Sequence, residues 1–302
     1  MTQEIIYTQC PSCNKNQIAF VFKAIDHTVS KKSFEIWECE SCTLRFTQNA
    51  PSEELIGDYY KDESYISHTN EKKGVINKLY HLVRKFTLQS KRKLINHFVN
   101  HAENRILDIG AGTGYFLNEM KLNGWEVSGI EPSEDARKMA FQQHKINLKN
   151  SDELFTIHPN SLNVVTMWHV FEHVLKSKDY LNAIHKILKQ EGLLIIAVPN
   201  YTSTDAEVYK NNWAAYDVPR HVFHFSPTSL IQLASECGFK VKDLKPMWFD
   251  SFYVSMLSEK NKNNNLSIIG FVKALLVGIY SNVLAIFDKR KCSSVIYIFE
   301  KN

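Results

Sequence analysis

Hydrophobic and polar positions follow different rhythms along the chain. Between residues 17 and 39, two runs rich in aromatic and β-branched residues, Gln17–Ile25 and Phe34–Cys39, flank a polar turn at Ser30–Ser33 and predict a hairpin. Residues 52–100 predict helices, with Tyr59, Tyr60 and Tyr65 at the front and a basic run behind them. From Arg105 onward, short apolar runs alternate with longer amphipathic ones. Strands are predicted over Arg105–Ile109, Glu126–Ile130, Asn163–Met167 and Leu193–Val198, and helices near Tyr115–Asn123, Ser133–His144 and Lys178–Gln190. A strand near Asn147–Asn150 is short. Two further strands are predicted over Lys240–Pro246 and Ser294–Glu300. This alternation predicts an α/β fold whose parallel sheet is covered on both faces.

The pattern divides the 302 residues into a small module at 1–50, a helical linker or cap at 51–100, and an α/β domain at 101–302. Apolar residues make up 44% of the chain, which is enough for a core, and a net charge of +4 does not by itself argue for a nucleic-acid partner. Met1–Tyr7 has neither a basic segment nor a long apolar run, so a cytoplasmic protein is expected.

Four of the six cysteines form two CxxC pairs, Cys10/Cys13 and Cys39/Cys42. Without a secretion signal, such pairs predict metal ligation rather than disulfides. Two knuckles of two thiolates make a closed four-cysteine site suited to structural zinc, with no open coordination position and hence no catalysis. A module of this size buries little core, so the metal would supply its stability.

The run Ile106-Leu-Asp-Ile-Gly-Ala-Gly-Thr-Gly-Tyr-Phe116 leads a strand through a GxGxG turn into a helix. Glycines there allow a sharp bend and a close approach by a ligand. Asp108, just before the turn, would repel a dinucleotide pyrophosphate but suits the ammonium and sulfonium of S-adenosylmethionine. Glu131, at the end of Val127-Ser-Gly-Ile-Glu131, stands where an acid can accept both ribose hydroxyls.

Together with Gly129-Ile-Glu-Pro-Ser133, Trp168-His-Val-Phe-Glu-His-Val174, Leu188-Lys-Gln-Glu-Gly-Leu-Leu194 and Val198-Pro-Asn200, this run resembles the class I S-adenosylmethionine-dependent methyltransferases over about residues 100–247 and the last strand. The cysteine module resembles the zinc ribbon that heads some members acting on sugars and other metabolites. The resemblance implies a Rossmann-like, seven-stranded methyltransferase sheet. It implies that Gly110, Gly112, Gly114 and Tyr115 line the methionine side of the cofactor with Asp108 nearby. By the same resemblance Glu131 holds the ribose, Pro132 flanks the adenine, and Trp168 and His169 close the pocket. Two departures stand out: Leu162-Asn163 replaces the Phe-Asp common before the fourth strand, and the third strand is faint. His169, Glu172 and His173 have an alternative reading as structural residues of a strand-to-helix junction.

The segment 201–225 leaves a strand end and carries Trp213, Tyr216, Asp217, Arg220, His221 and His224, the composition of a substrate lid. His221 is the preferred candidate base, with His224 and Tyr216 as further catalytic candidates; Asp217 and Arg220 could orient His221 or hold an acidic substrate. Packing is the alternative for each. The basic residues of Lys72–Lys93 are expected to be an exposed helix face, with a phosphate-binding surface as the alternative. A helical insertion is expected over about 248–292, in which Asp250-Ser-Phe-Tyr-Val-Ser-Met256 offers unranked candidate residues for the substrate pocket. Within it, Leu266–Phe287 is long enough to cross a membrane, and Gly270, Ala274 and Gly278 recur every fourth residue. Packing or a homodimer contact, docking on a membrane surface, and spanning remain open for it.

The expected function is methyl transfer from S-adenosylmethionine to a small or glycosylated metabolite, with a sugar or envelope-glycan precursor favoured by the ribbon-headed relatives. An RNA or protein methyltransferase and a non-catalytic binding module are the alternatives.

Overall fold

The computed structural model describes residues 4–60, 75–99 and 104–302, with the backbone alone for 75–82. Tyr65, Lys72 and Lys73 lie outside these residues, as does the side chain of Lys78.

The central sheet is built from β6 (Arg105–Ile109), β7 (Glu126–Ile130), β8 (Leu162–Trp168), β9 (Leu188–Pro199), β11 (Phe239–Pro246) and β12 (Ser294–Lys301), in the order β11-β12-β9-β8-β6-β7. β6 to β9 run parallel, and β12 lies antiparallel between β9 and β11. The chain leaves β6 to one side for β7 and then to the other for β8, which opens a crevice at the C-terminal ends of β6 and β8. The seventh position, beyond β7, is reduced to one bridge, Ile130 to Lys149. The reason is local: the Asn150 side chain accepts from Ser151 N and starts a 3₁₀ turn over Ser151–Thr156.

The helices are α1 (Val75–Phe98), α2 (Tyr115–Lys121), α3 (Glu134–His144), α4 (Ser177–Ile187), α5 (Thr204–Tyr209), α6 (Pro227–Glu236), α7 (Asp250–Asn263) and α8 (Ile268–Phe287), of which α5, α7 and α8 pack chiefly on one another. Ser133 caps α3, and a reciprocal pair of Ser226 and Ser229 with Pro227 at the first position starts α6. The fourth helix ends three residues before the predicted Gln190. Leu188, fully buried, pairs with Leu162 and begins β9 there. Tertiary pairing overrides the helical composition of Lys189-Gln-Glu191.

The cysteine module contains β2 (Ile18–Ile25), β3 (Ser33–Cys39) and β4 (Arg45–Gln48), with a short β1 (Glu4–Ile5) paired to β5 (Ala50–Pro51). Its sheet takes a fourth strand from the lid: β10 (Phe223–His224) lies antiparallel to β4, with Phe223 opposite Phe46 and His224 opposite Arg45. Three contacts reinforce the join. Tyr201 Oη donates to Thr43 O at 2.6 Å, Arg45 Nη1 donates to Tyr216 Oη at 2.9 Å, and Arg220 Nη2 donates to Thr28 Oγ1 at 2.9 Å.

Candidate active site

The four cysteine sulfurs gather at the tip of the module. Cys10 Sγ lies 3.5 Å from Cys42 Sγ and Cys13 Sγ lies 3.6 Å from Cys39 Sγ, with all four within 4.8 Å of one another. A tetrahedral ion with zinc–sulfur bonds of about 2.3 Å needs sulfurs a little under 4 Å apart. The backbone prepares each knuckle: Asn14 N and Thr43 N donate back to Cys10 O and Cys39 O, and both residues have φ of 58°. No disulfide joins these thiols. The donor set and spacing fit structural zinc.

At the crevice, β6 delivers Asp108 and then three glycines with φ of 73°, 53° and 79° at positions 110, 112 and 114. Gly110 is required by contact as well as by conformation, since a Cβ there would lie 2.3 Å from Val170 Cγ2. Glu131, almost fully buried, holds the turn: Oε2 accepts from Gly112 N at 2.8 Å and Oε1 accepts from Ser133 N at 2.9 Å. Each carboxylate oxygen keeps a further lone pair for a ribose hydroxyl. Pro132 is exposed beside it. Tyr115 packs edge-on against His144, with the Arg84 guanidinium 3.9 Å above its ring.

Asp108 is buried and accepts from Thr166 Oγ1 at 2.5 Å. Burial pushes its carboxyl up to about 7 despite that hydrogen bond and the nearby Lys91. Lys91 comes from α1, with Nζ 4.2 Å from the centre of the Trp168 ring. Burial pulls it down to about 8, against the attraction of Asp108 and Asp250. This residue belonged to the basic run expected on an exposed helix face; the structure turns it inward, while Lys85 and Lys93 on the same helix are exposed. Trp168 Nε1 is buried without a hydrogen-bond partner, an orphan donor at the mouth of the crevice.

His169 follows with φ of 56°. Its Nε2 lies 2.9 Å from Asp250 Oδ2 and its Nδ1 lies 3.5 Å from Glu172 Oε1. Burial opposes charge on this imidazole, yet the two carboxylates raise it to about 10. Glu172 is 1% exposed and neither oxygen has a hydrogen-bond partner. Burial works against its charge, and His169, His221 and His173 overcome it, holding the carboxyl below its usual range.

The lid brings His221 to this carboxylate. His221 Nε2 lies 3.9 Å from both Glu172 Oε1 and Asp217 Oδ2. Its Nδ1 lies 2.8 Å from Ala215 O, and because a carbonyl only accepts, Nδ1 carries the proton and leaves Nε2 bare in the neutral ring. His173 packs edge-on against His221, with Nδ1 2.9 Å from Arg220 O and from Tyr60 Oη. Burial first, and then the His221 charge, lowers it to about 4. Glu172, His173 and His221 bring one donor atom each within 4.8 Å, a spacing that would also receive a cation.

The other lid residues face elsewhere. Tyr216 Oη accepts from Arg45. His224 Nε2 lies 3.0 Å from Thr47 Oγ1, whose own hydrogen goes to His221 O, so His224 donates there. Burial pushes His224 well below the usual imidazole range. Arg220 is committed to Asp217, Thr28 and Tyr59, which leaves no free fork for an acidic substrate. Trp213 Nε1 donates to buried Asp205 at 2.7 Å. Sequence reasoning gave Lys91 only as part of a basic run and Asp250 only as the first of the unranked candidate pocket residues Asp250–Met256. Neither belongs to a motif; only the fold carries them to the crevice.

Beside the crevice lies a cleft of about 580 Å³, lined among others by Phe86, Lys91, Trp248, Phe249, Asp250 and Ile286. Its charged floor, Lys91 and Asp250, adjoins Trp168 and His169, and its walls are mostly apolar.

An uncharacterized methyltransferase of Staphylococcus carnosus is 28% identical over 41% of this chain, and the chain spans 59% of that relative's length. A ubiquinone biosynthesis O-methyltransferase of Thiobacillus denitrificans is 25% identical over 49% of this chain and 70% of its own. A methyltransferase structure from Archaeoglobus fulgidus shares the fold with a TM-score of 0.50 and 21% identity, covering 72% of this chain and 94% of that one. The family described as "Methyltransferase domain" matches residues 81–244, more than half of the chain, and takes in Lys91, the glycine turn, both acids and the Trp168–His173 segment. The chain therefore belongs to this family of S-adenosylmethionine-dependent methyltransferase domains.

Proposed function

We propose that the protein transfers a methyl group from S-adenosylmethionine to a hydroxyl of a small or glycosylated metabolite. The observation that carries this reading is the cradle at the crevice: a left-handed glycine turn pinned by Glu131 through Gly112 N, with the buried Asp108 carboxyl beneath it, which would repel a pyrophosphate. Asp108 and the turn receive the methionine end, Glu131 the ribose and Pro132 the adenine. When bound, S-adenosylmethionine supplies an electrophilic methyl on sulfonium.

His221 is the base of this proposal. Its bare Nε2 takes the acceptor's proton, and Glu172 and Asp217 stabilise the resulting imidazolium. His173 stays neutral beside it and contributes shape. Tyr216 and His224 hold the lid against β4, so their contribution is to position His221. The Thiobacillus relative is an O-methyltransferase, which supports oxygen as the receiving atom.

Calorimetric titration with S-adenosylhomocysteine, with NADH as a control, tests the cofactor class. Binding of the first alone is the expected result; binding of NADH, or of neither by folded protein, removes the reading.

A further inference from the structure

α8 divides its surface unequally. Gly270, Ala274, Gly278, Ser281 and Ala285 are its buried residues, and a Cβ on Gly278 would lie 2.6 Å from the Phe252 ring of α7. The small-residue stripe is thus spent on packing within the chain. The opposite face, with Ile269, Val272, Leu276, Ile279, Val283 and Ile286 at helical spacing, stands open, each of these residues 44–82% exposed. Such a run of apolar side chains is far beyond the scattered exposure of ordinary surfaces.

Two observations say what covers it. The first is charge. Around α8 the chain carries Lys260, Lys262, Lys273, Lys289, Arg290 and Lys291; Lys273 pairs with Glu259, Lys289 with Asp243 and Lys291 with Glu207, which leaves Lys260 and Lys262 at one end and Arg290 at the other without an acid partner among the described residues. Cations bracket the apolar face at both ends. A second copy laid along α8, parallel or antiparallel, would bring these clusters together and repel; an anionic lipid surface complements them. The second is continuity. Ile286 belongs both to the open face and to the wall of the 580 Å³ cleft, whose other exposed large apolar residues are Phe86, Trp248 and Phe249. The apolar face runs directly into a cleft whose charged floor adjoins the crevice.

We propose that α8 and the rim of this cleft dock on an anionic bilayer, and that the methyl acceptor is an amphiphile whose apolar part enters the cleft from the membrane. This rests on the methyltransferase reading for the acceptor, but the docking stands apart from it. A helix lying in the interface with its apolar stripe down and its flanking lysines at the headgroups meets both requirements of surface binding. Tryptophan and the other aromatic rim residues suit the same depth.

Flotation of the full chain with vesicles of phosphatidylglycerol and phosphatidylcholine, and of phosphatidylcholine alone, tests the docking. Binding to the first is expected, weakened by salt, and reduced about tenfold or more by the exposed double change Ile269→Glu/Leu276→Glu. S-adenosylhomocysteine affinity should be unchanged in that variant, which shows that it is folded. No flotation at low salt, flotation indifferent to the double change, or a dimer in sedimentation velocity that the double change dissociates would each overturn the docking. For the cleft the probe is dansyl-undecanoic acid. Its fluorescence should rise with the wild-type protein, and Ser90→Trp, at an exposed position lining the cleft, should weaken binding about tenfold. An unchanged affinity in Ser90→Trp overturns the amphiphile assignment. Failure to bind S-adenosylhomocysteine in the wild type would instead remove the methyltransferase reading and leave the vesicle result standing.

Discussion

His169 Nε2 lies 2.9 Å from Asp250 Oδ2, and this contact ties the end of β8 to the start of α7 across the mouth of the crevice. The pair continues a row of buried and half-buried charges: Asp108 and Lys91 on the cofactor side, Asp250 and His169 at the centre, Glu172 and His221 toward the lid.

Asp250→Asn should destabilise the protein by about 1–2 kcal/mol near neutral pH. Losing one partner of a buried pair costs more, but the His169 side chain keeps 35% of its surface exposed and solvent screens it. His169 is raised from its ordinary value to about 10 in the folded state. Its stabilising contribution is therefore complete below about pH 6.5, the unfolded value, and disappears as pH climbs through about 10. Urea unfolding at several pH values should show the mutant and wild type converging toward pH 10. A gap that does not narrow would mean that the pair stays uncharged.

Asp108 is pushed up to about 7 by burial, and the cofactor's ammonium needs it ionised. Affinity for S-adenosylhomocysteine should fall by close to tenfold per pH unit below about 7 and level off above it. Asp108→Asn should abolish that dependence together with most of the affinity. Calorimetry between pH 5.5 and 8.5 reads both.

Gly110→Ala meets Val170 and a backbone φ of 73° that alanine resists. Cofactor binding should be lost and stability lowered by about 1–3 kcal/mol. Gly124→Ala is the control: its φ is 87° but a Cβ meets nothing within 4 Å, so it should share the backbone cost and keep the cofactor.

His221→Ala should lower turnover by about 10²–10⁴-fold with cofactor affinity intact. His224→Ala should act through stability, since it removes the partner of buried Thr47 and loosens β10 from β4. Steady-state kinetics beside thermal melts separate the two. Normal turnover in His221→Ala would remove it as the base.

About one equivalent of zinc per chain is expected by elemental analysis, and Cys39→Ser should release it. Because β4 of the cysteine module pairs with β10, metal loss should also expose the lid. Limited proteolysis should then cut within 201–225 faster than in the zinc-loaded protein.

Local chemistry made much of this site legible. Gly110, Gly112 and Gly114 declare a left-handed turn, Asp108 and Glu131 sit a fixed number of residues from it, and two CxxC knuckles need only one hairpin between them. Lys91 and Asp250 give no such signal. One sits in a basic run like any exposed helix face, the other opens a helix after an aromatic stretch, and each acquires meaning only from the charge it meets across the crevice.

The chain's periodicity, its glycines and its cysteine spacing determined the strand order's raw material, the cofactor cradle and the metal knuckles, because each depends on neighbours within a few residues. The tertiary structure alone decided that β10 joins the cysteine module's sheet, that Tyr216 and His224 serve that join while His221 faces Glu172, and that the small-residue stripe of α8 is consumed inside the chain with its apolar face left outward. Those outcomes depend on which surfaces meet at long range, and the burial and electrostatic terms that choose between them do not exist until the sheet has closed.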